Sequence, residues 1–467
     1  MPIERSDGIN KSERYLKQLC DQTFHSLWSY PGVYSNEGLD RNKQGKEVCD
    51  LLVIFENHIV IFSDKDCQFP NSGNLAVDWN RWFNKSIKKS IQQLWGAEKW
   101  MRRYPEHLFL DKLCNQPFPL YIPNIETAKF HLIAVAHNSS ERCRQELGGN
   151  GNLRIQTSAK ETSNCIASKN GFPFCIGDTD PDRTFVHILD DISLDCVLDT
   201  LNTVSDFVAY LSKKEKLFRS GLQISAASEL ELLAYYHKFI NDDKERDFLI
   251  LHNFNGQEEL TLKDGYWQEF EQSPERKAKL EADLISYQWD GIIERFSHYC
   301  LREEVYFTSH LSISEQEIPL RLLAKENRFH RRILSEFLCS LINSASNSEV
   351  TTHYIEPLSS GENCYVFMVF PHFDSLTYKQ YREERRMALR KQRYIAKLKF
   401  PDIQHVIGIA TESNLFGKEG GSEDVIHIAL TEWNSEDNMQ VKKIDEERGL
   451  IKDLEMFSLH YDEYPNS

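Results

Sequence analysis

The stretch CDLLVIFENHIVIFSDKD, residues 49–66, contains two apolar runs separated by a short polar break. These runs predict two buried strands that form a hairpin. With Glu56 and Asn57 as the turn, Phe55 faces His58 and Asp50 lies opposite Ser63. The second run ends abruptly in four polar residues, three of them charged. The hairpin therefore predicts a polar cluster at its open end.

Alternation along the two strands assigns these polar residues to opposite faces of the hairpin. One face carries Asp50, Ser63 and Lys65, and the other carries Asp64 and Asp66. A carboxylate and an ammonium group at the end of buried strands must meet each other, water, a metal or a ligand, because an unpaired buried charge is costly. We interpret this end of the hairpin as a functional site. The alternative is that these are ordinary strand-end charges, with Lys65 protecting a sheet edge.

The bulk properties of the chain limit the protein class. A length of 467 residues predicts two or three domains, and the net charge of -16 argues against a general nucleic-acid coat protein. The apolar runs are far shorter than the roughly 20 residues that span a bilayer, which predicts no membrane association. The polar N-terminus predicts no secretory signal. Eleven cysteines without a CxxC pair favour a reducing cytoplasm.

Periodicity divides the chain into three predicted parts. Residues 1–215 combine strands with helices, including helix predictions at 12–28, with Ser12 as a possible N-cap, and at 77–104. A mainly helical middle region follows at 216–345. Residues 346–467 read as a small C-terminal α/β domain, to which we assign an accessory or partner-binding role. The fold class expected from this pattern is mixed α/β.

The N-terminal part resembles the PD-(D/E)XK nuclease superfamily, which has the restriction-endonuclease-like fold. That family places a helix before an Asp at the start of one strand, an acid-x-Lys at the end of the next, and then a helix that often carries a Gln. Here Asp50 matches the Asp, Lys65 the lysine and Gln93 the glutamine, while Glu13 matches an acid that some members carry on the first helix. The resemblance covers roughly residues 1 to 140. It implies a mixed sheet flanked by helices.

The sequence departs from the family pattern at one position, because Ser63 stands two residues before Lys65 where the family has an acid. A β-bulge or a three-residue turn would place Asp64 opposite Asp50 and restore a second carboxylate. Asp66 also lies close if the strand ends before it. Without either change, the domain is expected to be a nuclease-like binding or sensing protein without catalysis.

The resemblance implies a Mg²⁺- or Mn²⁺-dependent endonuclease that cleaves nucleic acid, DNA more than RNA, in defence or repair. Its implied catalytic residues are Asp50, Asp64, Lys65 and Gln93, and its implied metal ligands are Asp50, Asp64 and Glu13. Two carboxylates suit Mg²⁺, which supplies hydroxide and countercharge. A lysine at hydrogen-bonding distance can orient the attacking water and stabilise developing negative charge.

Positive charge is concentrated in two segments of this acidic chain. Residues 81–104 hold seven basic residues against one glutamate, and residues 377–399 hold nine against two. The first segment follows the suspected site, so we predict contacts to a phosphate backbone there. The predicted contact residues are Arg81, Lys85, Lys88 and Lys89. A solvated helix face is the alternative, and for the second segment a salt-bridged face between domains is favoured. A protein partner or a homodimer through the C-terminal region is the further expectation.

Overall fold

The computed structural model describes residues 3–157, 172–241, 245–248, 259–302, 313–346, 348–358, 362–373, 375–412, 422–431, 433–448 and 462–465. The chain packs as two compact units, one of Met1–Lys277 with Glu294–Ser314 and the other of Ala278–Ile293 with Glu315–Ser467. Residues 216–277 of the predicted middle region thus belong to the first unit. Residues 315–345 belong to the second. Both units mix helices with sheets, so the mixed α/β class predicted from sequence is confirmed at this level.

The strands are numbered in chain order. They are β1 (Ser29–Ser35), β2 (Lys46–Phe55), β3 (His58–Lys65), β4 (Leu108–Phe109), β5 (Lys129–Ala136), β6 (Arg154–Thr157), β7 (Cys175–Ile176), β8 (Val186–Asp190), β9 (Gln223–Ala226), β10 (Glu259–Leu262), β11 (Thr351–Ile355), β12 (Asn363–Val369), β13 (His405–Thr411) and β14 (Asp424–Ala429).

Five helices precede β6: α1 (Lys11–Trp28), α2 (Leu39–Asn42), α3 (Leu75–Phe83), α4 (Lys89–Arg103) and α5 (Ser140–Leu147). A π-helical segment, Asn84–Lys88, joins α3 to α4, and a 3₁₀ turn occupies Leu284–Ser286. The later helices span Asp191–Thr200, Val204–Phe218, Glu229–Lys238, Tyr266–Gln272, Pro274–Asp283, Tyr287–Arg302, Ile313–Ala324, Arg328–Ser344, Tyr378–Lys399 and Ser435–Arg448.

The hairpin β2–β3 lies at the centre of a six-stranded sheet of order β4-β1-β2-β3-β5-β8. Its strands pair from Phe55–His58 to Leu51–Phe62, so the predicted two-residue turn at Glu56 and Asn57 is confirmed. β3 runs antiparallel to β2 but parallel to β5, and β5 runs parallel to β8. The start of β2 and the ends of β3, β5 and β8 therefore meet at one edge of the sheet, which we call the site edge.

Helices cover both faces of this sheet. On the α1 face, the ring of Phe62 in β3 packs against Phe24 of α1 and Phe207, with centroids 6.3 and 6.5 Å apart. The opposite side is the α4 face, where Ser63 of β3 reaches Gln93 of α4. Because both faces are covered, β2 and β3 consist of nearly uninterrupted apolar residues, as strands buried on both sides do.

Two helix predictions are correct in place and differ in detail. The helix predicted over 12–28 runs from Lys11 to Trp28, but its N-cap is Asn10, whose side chain accepts from the backbone amide of Glu13. The helix predicted over 77–104 is interrupted by the π-helical segment. A π turn changes the rotation of later side chains about the helix axis. The interruption therefore sets which residues of α4 face the sheet, and sequence periodicity does not reveal it.

Two smaller sheets complete the described fold. In the first unit, β6, β7, β9 and β10 form a sheet of order β10-β9-β6-β7. In the second unit the order is β11-β12-β13-β14, with β12 and β13 parallel. The helix Tyr378–Lys399 packs on that sheet through buried Tyr381 and Leu389, which join Val366 and Met368 in one core. Among the described residues, no helix has both the length and the apolar character needed to cross a membrane.

Two buried histidines of the central sheet should make folding sensitive to acid. Burial, with His58 and Lys129 nearby, lowers the pKa of His131 to about 3, and burial lowers that of His187 well below 6.5. The unfolded chain therefore binds protons below pH 6.5 that the folded chain does not, so stability is fully present above that pH and falls as the pH drops. We expect a loss of about 2 kcal/mol per histidine between pH 7 and pH 5.

Urea unfolding at the two pH values tests this expectation. The variant His131→Gln should lose about 2 kcal/mol of the pH-dependent difference in unfolding free energy, since its side chain does not titrate. The exposed His107 offers a matched control as His107→Gln. An unchanged pH dependence in His131→Gln would mean that this histidine is protonated in the folded chain.

Candidate active site

Asp50 is the most buried charged group on the α4 face at the site edge, with 6% of its surface exposed. Its Oδ2 accepts the backbone amide of Asp64 at 2.5 Å and lies 3.4 Å from Nζ of Lys65. Burial raises the pKa of Asp50, while the Lys65 charge and the Asp64 amide oppose that rise and the charges of Asp64 and Glu13 add to it. The predicted pair of Asp50 and Lys65 therefore exists as a direct ion pair.

Lys65 and Gln93 lie on the same side of the sheet as Asp50. The Lys65 side chain is 27% exposed, so its ammonium group reaches both Asp50 and solvent. Ser63, the residue in place of the expected acid, donates from Oγ to Oε1 of Gln93 at 3.3 Å. Ser63 thus connects β3 to α4 and supplies a hydroxyl group where the family has a carboxylate.

Asp64 points to the α1 face, as strand alternation predicts. Its Oδ1 lies 2.5 Å from Nε2 of His137 at the end of β5, and its Oδ2 accepts from the hydroxyl of Ser12. The same Ser12 hydroxyl is 3.1 Å from His137 Nε2. Neither device that would turn this carboxylate toward Asp50 occurs, because the β2–β3 turn has two residues and the register runs regularly. Asp64 reaches Asp50 through its backbone amide.

The other two predicted acids are bound locally. The carboxylate of Glu13 accepts the backbone amide of Ile9 at 2.6 Å and the side chain of Asn10 at 2.5 Å, an arrangement that closes the first turn of α1. Its charge still contributes to the raised pKa of Asp50. Asp66 accepts from the side chain of Asn138 at 2.6 Å.

Glu47 is a site residue that sequence reasoning missed. Val33 of β1 pairs with Cys49 whereas Tyr34 pairs with Glu47, so Val48 is an extra residue in β2. A bulge reverses the alternation beyond it and turns Glu47 toward the face of Asp50. Burial raises the pKa of Glu47, and the charge of Asp50 raises it further while Lys65 lowers it. Glu47 and Asp50 are three residues apart, and in a regular strand that spacing puts two side chains on opposite faces. The sequence alone therefore does not indicate that they share a face.

Described residues form no group of three or more His, Cys, Asp or Glu side chains placed to hold a metal ion. The α4 face does bring together two carboxylates, those of Asp50 and Glu47, whose negative charges repel each other and raise the Glu47 pKa. Mg²⁺ commonly binds proteins through one or two carboxylates and keeps several waters. Of the predicted ligands Asp50, Asp64 and Glu13, Asp64 lies on the α1 face and Glu13 bonds to Ile9 and Asn10. Asp50 and Glu47 are therefore the two carboxylates tested for a metal under the proposed function.

The first basic segment presents a row of exposed cations beside the site. Arg81, Lys85, Lys88 and Lys89 are all exposed, and Lys85, Lys88 and Lys89 form no ion pair among the residues that the structure describes. Trp82 of the segment and Trp79 just before it are not available for stacking on a ligand, because both are buried. They pack with Phe69, Phe83 and Phe174.

Four of the nine basic residues of the second segment form ion pairs with described residues of their own unit. Arg382, Arg385 and Arg386 of the helix Tyr378–Lys399 all bind the buried carboxylate of Asp424, at 2.6 to 2.7 Å. Arg393 is 3.3 Å from Asp437. The helix thus has an ion-pair network within one unit, and the salt bridges expected between domains stay a prediction.

Comparisons with known proteins add no relative for this chain: it matches no protein-family model, no curated protein and no solved structure.

The contact between Asp64 and His137 leads to a prediction about titration. Burial lowers the pKa of His137, but the Asp64 hydrogen bond and the charges of Asp64, Asp191 and Asp66 outweigh it and raise the pKa above 6.5. Asp64→Asn should therefore drop the His137 pKa below its ordinary value, since burial then dominates. Histidine NMR titration measures this directly. Asp66→Asn, which removes a weaker charge, should lower it less, and equal shifts would refute the dominant role of Asp64.

Proposed function

We propose that the first unit is a metal-dependent nuclease that hydrolyses phosphodiester bonds in nucleic acid, with DNA as the expected substrate. The observation that carries the proposal is the ion pair of Asp50 and Lys65 at the ends of two central strands, with Glu47 and Gln93 on the same face. The order helix, Asp-bearing strand, Lys-bearing strand, Gln-bearing helix and strand agrees with the PD-(D/E)XK pattern. The restriction-endonuclease-like arrangement is part of this proposal.

The chain's own groups have separate roles in the proposed reaction. Asp50 is held in place by the Asp64 amide on Oδ2, which orients its carboxylate for the proposed role as a ligand. Lys65, at the strand end and partly exposed, orients the attacking water and stabilises negative charge that develops on the phosphate. Gln93, fixed by Ser63, positions the substrate from α4.

Asp50 and Glu47 are the residues that would hold the metal. When bound there, Mg²⁺ or Mn²⁺ lowers the pKa of water and supplies countercharge to the phosphate. A cation also offsets the negative charges that raise these pKa values beyond burial, which are those of Asp64 and Glu13 for Asp50 and those of Asp50 and Glu13 for Glu47. Binding of the metal should therefore release protons at acidic pH and weaken as the carboxylates become protonated.

One observation favours a second candidate function, a nuclease-like binding or sensing protein without catalysis. Asp64, the acid nearest to the family's motif position, is bound by Ser12 and His137 on the opposite face. If Glu47 does not take the place of Asp64 as a metal ligand, Asp50 is the one carboxylate of the site that can bind the metal. Incubation of labelled DNA and RNA, single-stranded and duplex, with Mg²⁺, Mn²⁺ or EDTA separates the two functions. Binding without cleavage in every metal would select the second.

Lys65→Ala should reduce cleavage by roughly a thousandfold, because one such charge contact at an effective dielectric near 20 is worth about 4 kcal/mol. The fold should persist, since the side chain lies at a strand end and is partly exposed. Asp50→Asn should remove metal binding as well as cleavage, because an amide is a poor Mg²⁺ ligand but still accepts the Asp64 amide. Calorimetry and cleavage rates measure both effects.

Asp66→Asn is the matched control, since Asp66 is an exposed acid at the same strand end that bonds to Asn138. It should leave cleavage and metal binding close to those of the unsubstituted protein. Full activity in a folded Lys65→Ala protein, or unchanged metal affinity in Asp50→Asn, would remove these residues from the mechanism.

Replacing Lys85, Lys88 and Lys89 with alanine should weaken nucleic-acid binding and leave metal binding unchanged. Each lost phosphate contact lowers the slope of log affinity against log salt by about 0.9 for duplex DNA or about 0.7 for a single strand. Three contacts therefore predict a fall of roughly 2 to 3 units. The exposed Lys216, Lys238 and Lys277 give a charge-matched control triple. Equal salt slopes for the two triple variants would mean that Lys85, Lys88 and Lys89 are solvated and do not contact phosphate.

A further inference from the structure

A cleft of about 550 Å³ opens beside the candidate active site, between the start of β2 and the second half of α4. We call it the α4 cleft. Its lining includes the site residues Glu47 and Gln93 together with Gly96, Lys99, Trp100 and Arg103. Its volume falls in the range of pockets that take small organic ligands. Any group seated there lies next to the residues proposed to act on a phosphodiester.

Gly96 is the residue of the α4 cleft that packing does not explain. It occupies the middle of α4, where glycine destabilises a helix relative to alanine. A Cβ atom built there meets no described atom within 4 Å, so no neighbouring element requires its absence. Gly45 shows the opposite case, because a Cβ there would lie 2.5 Å from the carbonyl oxygen of Ser35. A helical glycine that faces open space is suited to close approach of a ligand.

The rest of the lining has the chemistry of a nucleotide site. Trp100 is half-buried, its ring centroid is 4.7 Å from that of Tyr104, and its buried Nε1 has no hydrogen-bond partner within the described part of the chain. Lys99 and Arg103 are exposed, and neither enters an ion pair with a described residue. The guanidinium group of Arg103 lies 5.2 Å from the ring centroid of Tyr104. An aromatic wall beside two cations that form no ion pair with a described residue suits a base and its phosphate.

The cationic rim continues beyond the α4 cleft. Lys99 and Arg103 also border a second depression of about 620 Å³, where the guanidinium group of Arg183 lies 4.6 Å from the ring centroid of Trp95. Toward the other end of the helical segment, the exposed Lys85, Lys88 and Lys89 extend the row. Cations therefore follow one face of the segment on both sides of Gly96.

We propose that the α4 cleft binds one unstacked nucleotide of a single-stranded nucleic acid, with its base against Trp100 and Gly96 and its phosphates on Lys99 and Arg103. Bases inside a duplex are stacked and paired, so their faces are not available to an aromatic wall. The proposal names the substrate of the nuclease site. That the bound strand is then cleaved rests on the proposed function. Binding itself does not depend on cleavage.

The test uses fluorescence anisotropy of the full chain with labelled oligonucleotides of about 12 nucleotides, a length within the range that such surfaces cover. The probes are single-stranded DNA, single-stranded RNA and duplex DNA of one sequence, in EDTA so that no cleavage interferes. Gly96→Leu places a side chain in the α4 cleft at a position where a Cβ atom meets no described atom within 4 Å. It should weaken single-strand binding about tenfold, the effect of losing one stacked base. Duplex binding should change less than twofold.

Gly96→Ala is the matched control, because it adds one methyl group and leaves most of the cleft open. It should bind single strands within about twofold of the unsubstituted protein and unfold at a higher temperature, as expected for alanine in a helix interior. A double variant, Lys99→Ala with Arg103→Ala, should lower the single-strand salt slope by about 1.4, whereas the exposed pair Lys216→Ala with Lys277→Ala should leave it unchanged.

Equal single-strand affinity for Gly96→Leu and Gly96→Ala would overturn the proposal. If Gly96→Leu weakened duplex binding as much as single-strand binding, the surface would be a duplex-binding one and the proposal would also be wrong. The absence of single-strand binding by the unsubstituted protein would overturn it too. DNA and RNA arms report which strand is preferred. If Gly96→Leu loses binding while no metal supports cleavage, the proposed nuclease function fails and the binding site stands. If cleavage occurs and Gly96→Leu binds single strands normally, the nuclease function stands and the proposed nucleotide site fails.

Discussion

The amide of Asp64 donates to the carboxylate of Asp50, and the site edge is organised around this bond. Through it, one residue serves both faces of the sheet: the backbone fixes Asp50 on the α4 face, while the side chain binds Ser12 and His137 on the α1 face. The pleat imposes this division, because successive side chains in a strand point to opposite faces. Asp64 cannot bring its carboxylate to Asp50 while β3 remains regular.

The α4 face holds the carboxylates of Asp50 and Glu47, and the charge of Lys65 opposes the rise of both pKa values while Lys112 also opposes that of Glu47. Asp50 is nearly buried, Glu47 lies beside it beyond the bulge in β2, and Lys65 is the cation that contacts Asp50 directly. Burial raises the pKa of both carboxylates, and the charge of Asp50 raises that of Glu47 further. Such an edge is stabilised by a further cation, which is the physical reason for expecting a metal there.

The helical segment from α3 to α4 links the site to its surroundings. Its buried side packs on the sheet, and Gln93 meets Ser63 next to the Asp50 pair. Its exposed side carries cations interrupted by Gly96 and bordered by Trp100. The π-helical segment shifts the rotation of α4 relative to α3, so the two sides could not be assigned from one continuous helical period. Site and binding surface thus depend on the same local irregularity.

The sequence by itself determined the hairpin, its two-residue turn, the faces of Asp50, Lys65 and Asp64, and the basic helical segment, because strand alternation and short turns are local properties. Tertiary structure alone decided the rest. The bulge at Val48 recruits Glu47, His137 reaches Asp64 from a strand more than 70 residues away, and the α4 cleft forms between elements distant in sequence. These features arise from pairing and packing between separate segments, and no local pattern records them.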